Sequence, residues 1–230
     1  MKSELLIVIP AYNEEENIKN VVELIKNQYD QYDYIVVNDG SKDRTADICY
    51  ENGYEILDLP VNLGLAGAFQ AGLKYAYKKD YQYAIQFDAD GQHKPEYISN
   101  MLERIKEGYD IVIGSRFVCI RKDSSMRMIG SRIITIAIKL TTKVRISDPT
   151  SGMRMFSRKM IEEFAQNLNY GPEPDTISYL IKNGAKISEV PVTMDERQFG
   201  ISYLNIAGSI SYMLKMLISI IFLQNFRKRS

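Results

Sequence analysis

The chain has 230 residues, 45% hydrophobic and 25% charged, with 14 glycines, enough for one sizeable core and too few for three domains. It carries no internal repeat or low-complexity tract, which excludes a solenoid or an intrinsically disordered chain. Its 29 basic and 29 acidic residues cancel, and with no nucleic-acid motif in the chain no nucleic-acid partner is expected.

From the amino terminus, "ELLIVIP" (4–10) is an apolar run of strand length. In "NEEENIKNVVELIKNQ" that follows, Asn13 and Glu16 have the form of a capping box, and Ile18, Val21, Val22 and Ile25 recur at helical spacing. The unit then repeats. "YDYIVVND" reads as a strand, "RTADICYEN" as a helix ended by Gly53, "YEILDLP" as a strand and "AGAFQAGLKYAYKK" as a helix. "YQYAIQFD" is the fourth strand, "PEYISNMLERIKEG" a helix with Pro95 in its first turn and Gly108 at its end, and "YDIVIGS" the fifth strand. Such alternation predicts an α/β fold, a mostly parallel sheet flanked by helices. Ligands of these sheets bind beyond the carboxyl ends of the strands, and polar turns stand at all five: Tyr12 to Glu14, Asp39 to Ser41, Asn62 to Gly64, Asp88 to Asp90, and Ser115 with Arg116.

After residue 116 the pattern changes. Residues 1–115 hold 11 Lys/Arg and 20 Asp/Glu, a balance of −9, whereas 116–145 hold 8 and 1, a balance of +7. This basic, apolar-rich stretch suits an anionic membrane surface or phosphate groups. "ISDPTSGMRMFS" is turn-rich and leads into a strand, followed by helices around 159–167 and 175–183 and the strand "AKISEVPV". The apolar segment from Tyr203 to Leu223 is interrupted by Asn205 and Lys215 and followed by "RKR". It reads as an interfacial amphipathic helix rather than a bilayer span. Cys49 and Cys119 show no metal or disulfide spacing and no signal peptide precedes them, so a reducing cytosolic setting is expected.

The carboxylates of "QFDADGQHKP" (86–95) need a cation or water at the strand end, because burying them uncompensated is costly. Asp88 and Asp90 point to the same side of an extended strand, Gln92 adds a neutral oxygen, and hard oxygen ligands suit Mg²⁺ or Mn²⁺. His93, the single histidine, has no partner spaced for a zinc site and is expected to serve the entry to the next helix.

Taken together, "VIPAYNEEENI", "VVNDGSKDRT", "NLGLAGAFQAGLKYA", "FDADGQHKPE" and "GSRF" resemble the family-2 glycosyltransferases with the nucleotide-sugar-binding, Rossmann-like GT-A fold, over residues 4–117. The resemblance implies that Pro10, Tyr12, Glu14 and Asp39 hold the base and ribose. It implies that Asp88 and Asp90 bind the metal and, through it, the donor diphosphate. "GQHKPE", "SDPTSGMRMFS" and "EVPVTMDERQFGISYL" are similar to the dolichol-phosphate mannosyltransferases and bacterial polyprenyl-phosphate glycosyltransferases. That subfamily implies a metal role for Gln92, a closing segment with Arg197, Gly200 and Ser202, and inverting transfer to a polyprenyl phosphate in cell-envelope glycan assembly.

A phosphate acceptor needs cationic partners rather than a base, and Arg116, Arg127, Arg132 and Arg197 are the candidates. Asp90, Arg116 and Arg197 are the expected catalytic residues. UDP-glucose or UDP-N-acetylglucosamine is expected as donor ahead of GDP-mannose. The expected organisation is a GT-A domain over 1–200, divided into a nucleotide-sugar half (1–117) and an acceptor half (118–200), with amphipathic, membrane-associating helical sequence over 201–230. The expected location is peripheral, at the cytoplasmic face of the cell membrane, with a small membrane-embedded partner or self-association as further possibilities. Two alternatives stand beside this reading: transfer to a sugar hydroxyl with Glu173 or Asp175 as base, and a non-catalytic nucleotide-sugar-binding protein. A nucleotidyltransferase would want a glycine-rich basic loop where this chain has "AYNEEEN".

Overall fold

The structure, a computed structural model, describes residues 3–118, 126–167, 171, 173–195 and 206–225. Strand β1 (Leu5–Ala11), helix α1 (Ile18–Gln28), β2 (Asp33–Asn38), α2 (Thr45–Glu51), β3 (Ile56–Asp58), α3 (Gly64–Lys78), β4 (Tyr83–Gln86), α4 (Ile98–Lys106) and β5 (Ile111–Ser115) follow the expected alternation. They are joined by α5 (Met126–Thr142), β6 (Arg154–Ser157), α6 (Arg158–Glu162), α7 (Pro174–Lys182), β7 (Ile187–Pro191) and α8 (Ile206–Ile221). A 3₁₀ turn over Pro95–Tyr97 leads into α4, and a π-helical turn over Glu163–Asn167 continues α6.

The seven strands lie in the order β3-β2-β1-β4-β6-β5-β7. Every pairing is parallel except those of β6, which runs antiparallel between β4 and β5. Both sheet faces are covered, so β1 is buried at every residue instead of alternating. Leu6 and Val8 face one core with residues of α3, α5, α7 and α8. Leu5, Ile7 and Ile9 face a second with α1, α2 and α4.

The reversed direction of β6 organises the functional edge. Parallel strands β1, β2, β4 and β5 all end there, and an antiparallel strand begins there. Met155 pairs with Ile85 and Arg154 with Ile113, so residues 148–153 emerge among the same turns as Asp88 and Ser115.

One local expectation is corrected. Helix α1 starts at Ile18 with Asn17 at its N-cap, and Asn13 makes no capping box. Asn13 adopts a left-handed backbone, φ 54°, and its Oδ1 accepts the Lys42 amide at 2.8 Å. Bonds between neighbouring loops displaced the local cap.

The α3–β1 contact is close at Gly72, where an added Cβ would stand 2.2 Å from Val8 Cγ1. Gly72→Ala is therefore expected to overpack the core and cost about 1–3 kcal/mol, read as a lowered urea midpoint with unchanged slope.

Candidate active site

At the β1 and β2 ends, two loops are laced together. The amides of Asn13, Glu14 and Glu15 donate to Ser41 Oγ (3.0 Å), Thr45 Oγ1 (2.9 Å) and Asp43 Oδ2 (3.1 Å), and the Arg44 amide returns to Glu15 Oε2 (2.9 Å). Pro10 is buried in β1, Tyr12 and Glu14 are half-buried, and Glu14 Oε2 accepts Asn17 Nδ2 at 2.7 Å. Asp39 is buried, and its Oδ1 accepts the Leu63 amide at 2.7 Å, tying β2 to the start of α3. The hollow bordered by 13–17, Lys42 and Asp43, about 350 Å³, is dominated by carboxylates. That charge disfavours a diphosphate there without a cation.

At that end Asp88 keeps a side-chain exposure of 27%. Its Oδ1 accepts Gln86 Nε2 at 2.9 Å, and its backbone N–H donates to His93 Nδ1 at 2.9 Å. Asp90 Oδ1 accepts the Gln92 amide at 3.1 Å, closing the turn. Gln92 Nε2 donates to the Asp195 carbonyl at 3.2 Å, so Oε1 is the atom it can offer a cation. His93 differs from expectation: it is buried and bonded to Asp88 rather than to the helix that follows. Only three-dimensional proximity of its ring to the Asp88 amide reveals this.

Among the described residues no three His, Cys, Asp or Glu side chains converge. Two carboxylates and an amide oxygen nevertheless form a donor set suited to a hard cation that also takes substrate phosphate and water. Gly152 packs closely against Asp88, where an added Cβ would stand 2.5 Å from its Oδ2. The residues fit Mg²⁺ or Mn²⁺.

Arg116 lies at the β5 end with its guanidinium fork on Asp148: Nε to Oδ2 at 2.7 Å and Nη2 to Oδ1 at 2.9 Å. Asp148 is completely buried, and the amides of Ser147 and Asp148 donate to Glu189 on β7 at 2.8 and 2.9 Å. In this geometry Arg116 fixes the 147–153 loop. Arg132 is exposed on α5, whereas Arg197, Gly200, Ser202 and the side chain of Arg127 lie outside the described residues. The segment leading to Arg197 is clipped to the Asp88–Gln92 turn, with the Asp195 amide on the Gln92 carbonyl at 3.0 Å and Lys94 Nζ on Asp195 Oδ1 at 2.9 Å.

Sequence reasoning passed over Asp148, Gly152 and Arg154. Arg154 is buried and donates to the Pro149 carbonyl at 2.8 Å. Burial pushes its pKa down, opposed by Glu173, Tyr212, Asp148 and Asp88. The clue was the turn-rich "SDPTSGMR", whose placement depends on β6 running backwards.

Residues 6–165 match the glycosyl transferase family 2 model. The chain belongs to that family. Polyprenol monophosphomannose synthase of Mycolicibacterium smegmatis is 30% identical to this family-2 chain over 224 residues, 92% of the chain and 84% of that protein. A UDP-N-acetylglucosamine–dolichyl-phosphate N-acetylglucosaminyltransferase of Methanococcus voltae is 31% identical over 213 residues, covering 82% and 84%. The fold is shared with glucosyl-3-phosphoglycerate synthase of Mycobacterium tuberculosis, solved with Mn²⁺, UDP-glucose and phosphoglyceric acid. That match has a TM-score of 0.70 at 18% identity, over 96% of this chain and 80% of the other.

Removing one partner of a buried ion pair strands the other. Arg116→Ala, which strands the fully buried Asp148, is expected to cost this family-2 glycosyltransferase about 3–5 kcal/mol, measured as a fall in thermal midpoint, and Arg116→Lys to recover only part of the bidentate pair.

Proposed function

We propose that this chain is an inverting, metal-dependent glycosyltransferase that moves a hexose from a nucleoside diphosphate sugar to a polyprenyl phosphate, working peripherally at the cytoplasmic face of the membrane. The observation that carries the acceptor class is the state of the carboxylates at the start of α7. Asp175 is buried, with Oδ2 accepting Ser219 Oγ of α8 at 2.5 Å and Oδ1 accepting the Thr176 amide at 2.8 Å. Glu173 accepts the hydroxyl of Tyr212, also on α8. Burial and Glu173 push the Tyr212 phenol pKa up, so it stays a donor. A hydroxyl acceptor needs a base to remove its proton, and both candidates instead dock α8. A phosphate acceptor is already anionic and needs none.

In the reaction a phosphate oxygen of the acceptor bonds to the anomeric carbon from the face opposite the diphosphate. The bond to the diphosphate oxygen breaks, and the nucleoside diphosphate leaves with that electron pair. Asp88, Asp90 and Gln92 would hold the Mg²⁺ or Mn²⁺, which supplies positive charge at the leaving group. Pro10, Tyr12, Glu14 and Asp39 are assigned to the base and ribose, and Arg197 to the phosphates. Arg116 serves by fixing the loop beside them. The relatives' names include both mannose and N-acetylglucosamine transfer; UDP-glucose and UDP-N-acetylglucosamine remain the favoured donors for this chain, with GDP-mannose tested beside them.

Membrane contact is supported by the α5 and α8 surfaces. Ile129, Ile133, Ile136 and Leu140 are exposed at helical spacing on α5, as are Leu214, Ile218 and Ile221 on α8, continuing into Phe222 and Leu223. The helices pack together where Met213 meets Gly130, at which a Cβ would stand 1.5 Å from Met213 Sδ. The stripes therefore adjoin, with Arg132, Lys139, Lys143, Arg145 and Lys215 exposed around them. Apolar area beside basic residues is the composition of an interfacial surface. No helix among the described residues is long and apolar enough to cross a membrane.

Incubation with undecaprenyl phosphate, a panel of nucleotide sugars and Mg²⁺ or Mn²⁺ is expected to give one lipid-linked sugar, abolished by chelator; no product from any donor sinks the proposal. Asp175→Asn is expected to keep turnover within a few-fold, whereas a loss of roughly 100-fold or more would favour a hydroxyl acceptor. Ile136→Glu with Leu140→Glu is expected to weaken co-sedimentation with anionic vesicles by on the order of tenfold or more, since two partly inserted side chains lose their transfer energy, at unchanged thermal midpoint.

A further inference from the structure

Resting on the metal reading above, we infer that His93 and Gly152 together act as a clamp that sets the orientation of the Asp88 carboxylate, making both positioning residues for the cation site. His93 Nδ1 accepts the Asp88 backbone N–H at 2.9 Å. The proton of the neutral ring is therefore on Nε2, which faces Asp88 Oδ2 at 3.5 Å. One imidazole thus addresses both the backbone and the side chain of the same aspartate.

The ring cannot easily move away. Its side chain is 3% exposed, and it stands edge-on to Phe87 with centroids 5.4 Å apart and planes at 72°. From the other side comes Gly152, on the loop that precedes β6. A Cβ there would meet Asp88 Oδ2 at 2.5 Å, Asp88 Cγ at 3.3 Å and His93 Cε1 at 3.3 Å. A methyl at 2.5 Å must displace either the carboxylate or the loop, and the loop is fixed by the Arg116–Asp148 pair. Gln86 Nε2 holds Oδ1 by a hydrogen bond, while the Nε2 edge of His93 stands 3.5 Å from Oδ2 and Gly152 closes one face. An ionised carboxylate has about four lone-pair positions, so these contacts leave it able to bind a cation while choosing the direction in which it does so. Partners that orient a metal-binding group commonly change metal affinity by 10- to 100-fold when removed.

The experiment measures Mn²⁺ binding to the full chain in the presence of UDP, by the electron paramagnetic resonance of free Mn²⁺, beside thermal midpoints and UDP binding in chelator. His93→Asn keeps an acceptor for the Asp88 amide and deletes the Nε2 contact. It is expected to weaken Mn²⁺ by roughly 10- to 100-fold while the midpoint and metal-free UDP binding stay near wild type. Gly152→Ala is expected to weaken Mn²⁺ comparably, and His93→Gln, whose amide nitrogen reaches the place of Nε2, to recover part of the loss. If His93→Asn unfolds, Gly152→Ala carries the test. Wild-type Mn²⁺ affinity in folded His93→Asn and Gly152→Ala, alongside a clear loss in Asp88→Asn, overturns the clamp and leaves the metal reading standing. Equal Mn²⁺ binding by wild type and Asp88→Asn overturns the metal reading itself and the clamp with it.

Discussion

A fully buried carboxylate, Asp148, is held by the fork of Arg116, and the ligand edge of this fold depends on that pair. A charge withdrawn from water, as Asp148 is beside the partly exposed Arg116, is tolerable only when paired with good geometry and further hydrogen bonds. Here the bidentate contact and the Glu189 bonds to the adjoining amides supply both. The pair joins the end of β5 to the loop before β6, while Glu189 ties the same loop to β7. Three segments far apart in sequence are thereby fixed within one ångström-scale arrangement.

The loop so fixed forms a wall of the turn that carries Asp88. Asp88 is approached by Gly152 from this loop, by His93 from its own turn and by Gln86 from β4. The opposite rim is the 193–195 segment, bonded to Gln92, Lys94 and Tyr97.

A second polar contact system connects α7 to α8. Glu173 with Tyr212 and Asp175 with Ser219, together with Ser178 and Gln224 just past the end of α8, fasten a helix whose outward face is apolar. Glu173 and Asp175 thereby anchor this helix. Arg154 lies between the two regions, within electrostatic reach of both Asp88 and Glu173. The buried aspartates and glutamates of the second half are thus tied to attachment of loops and helices.

The sequence by itself determined the parallel β1–β5 framework, the faces of its helices and the turn carrying Asp88, Asp90 and Gln92. These follow from local periodicity and from polar residues at strand ends, which depend on near neighbours. It also marked the basic, apolar character of α5 and the apolar character of α8. Tertiary structure alone decided that β6 enters antiparallel between β4 and β5, because strand order is a matter of long-range pairing that a four-residue strand does not encode. From that insertion came Gly152 against Asp88, and Asp148 against Arg116 instead of a free arginine. The roles of His93 and Asp175 were decided the same way. A side chain's chemistry is legible in sequence, but its hydrogen-bond partner depends on which distant backbone the fold brings within 3 Å.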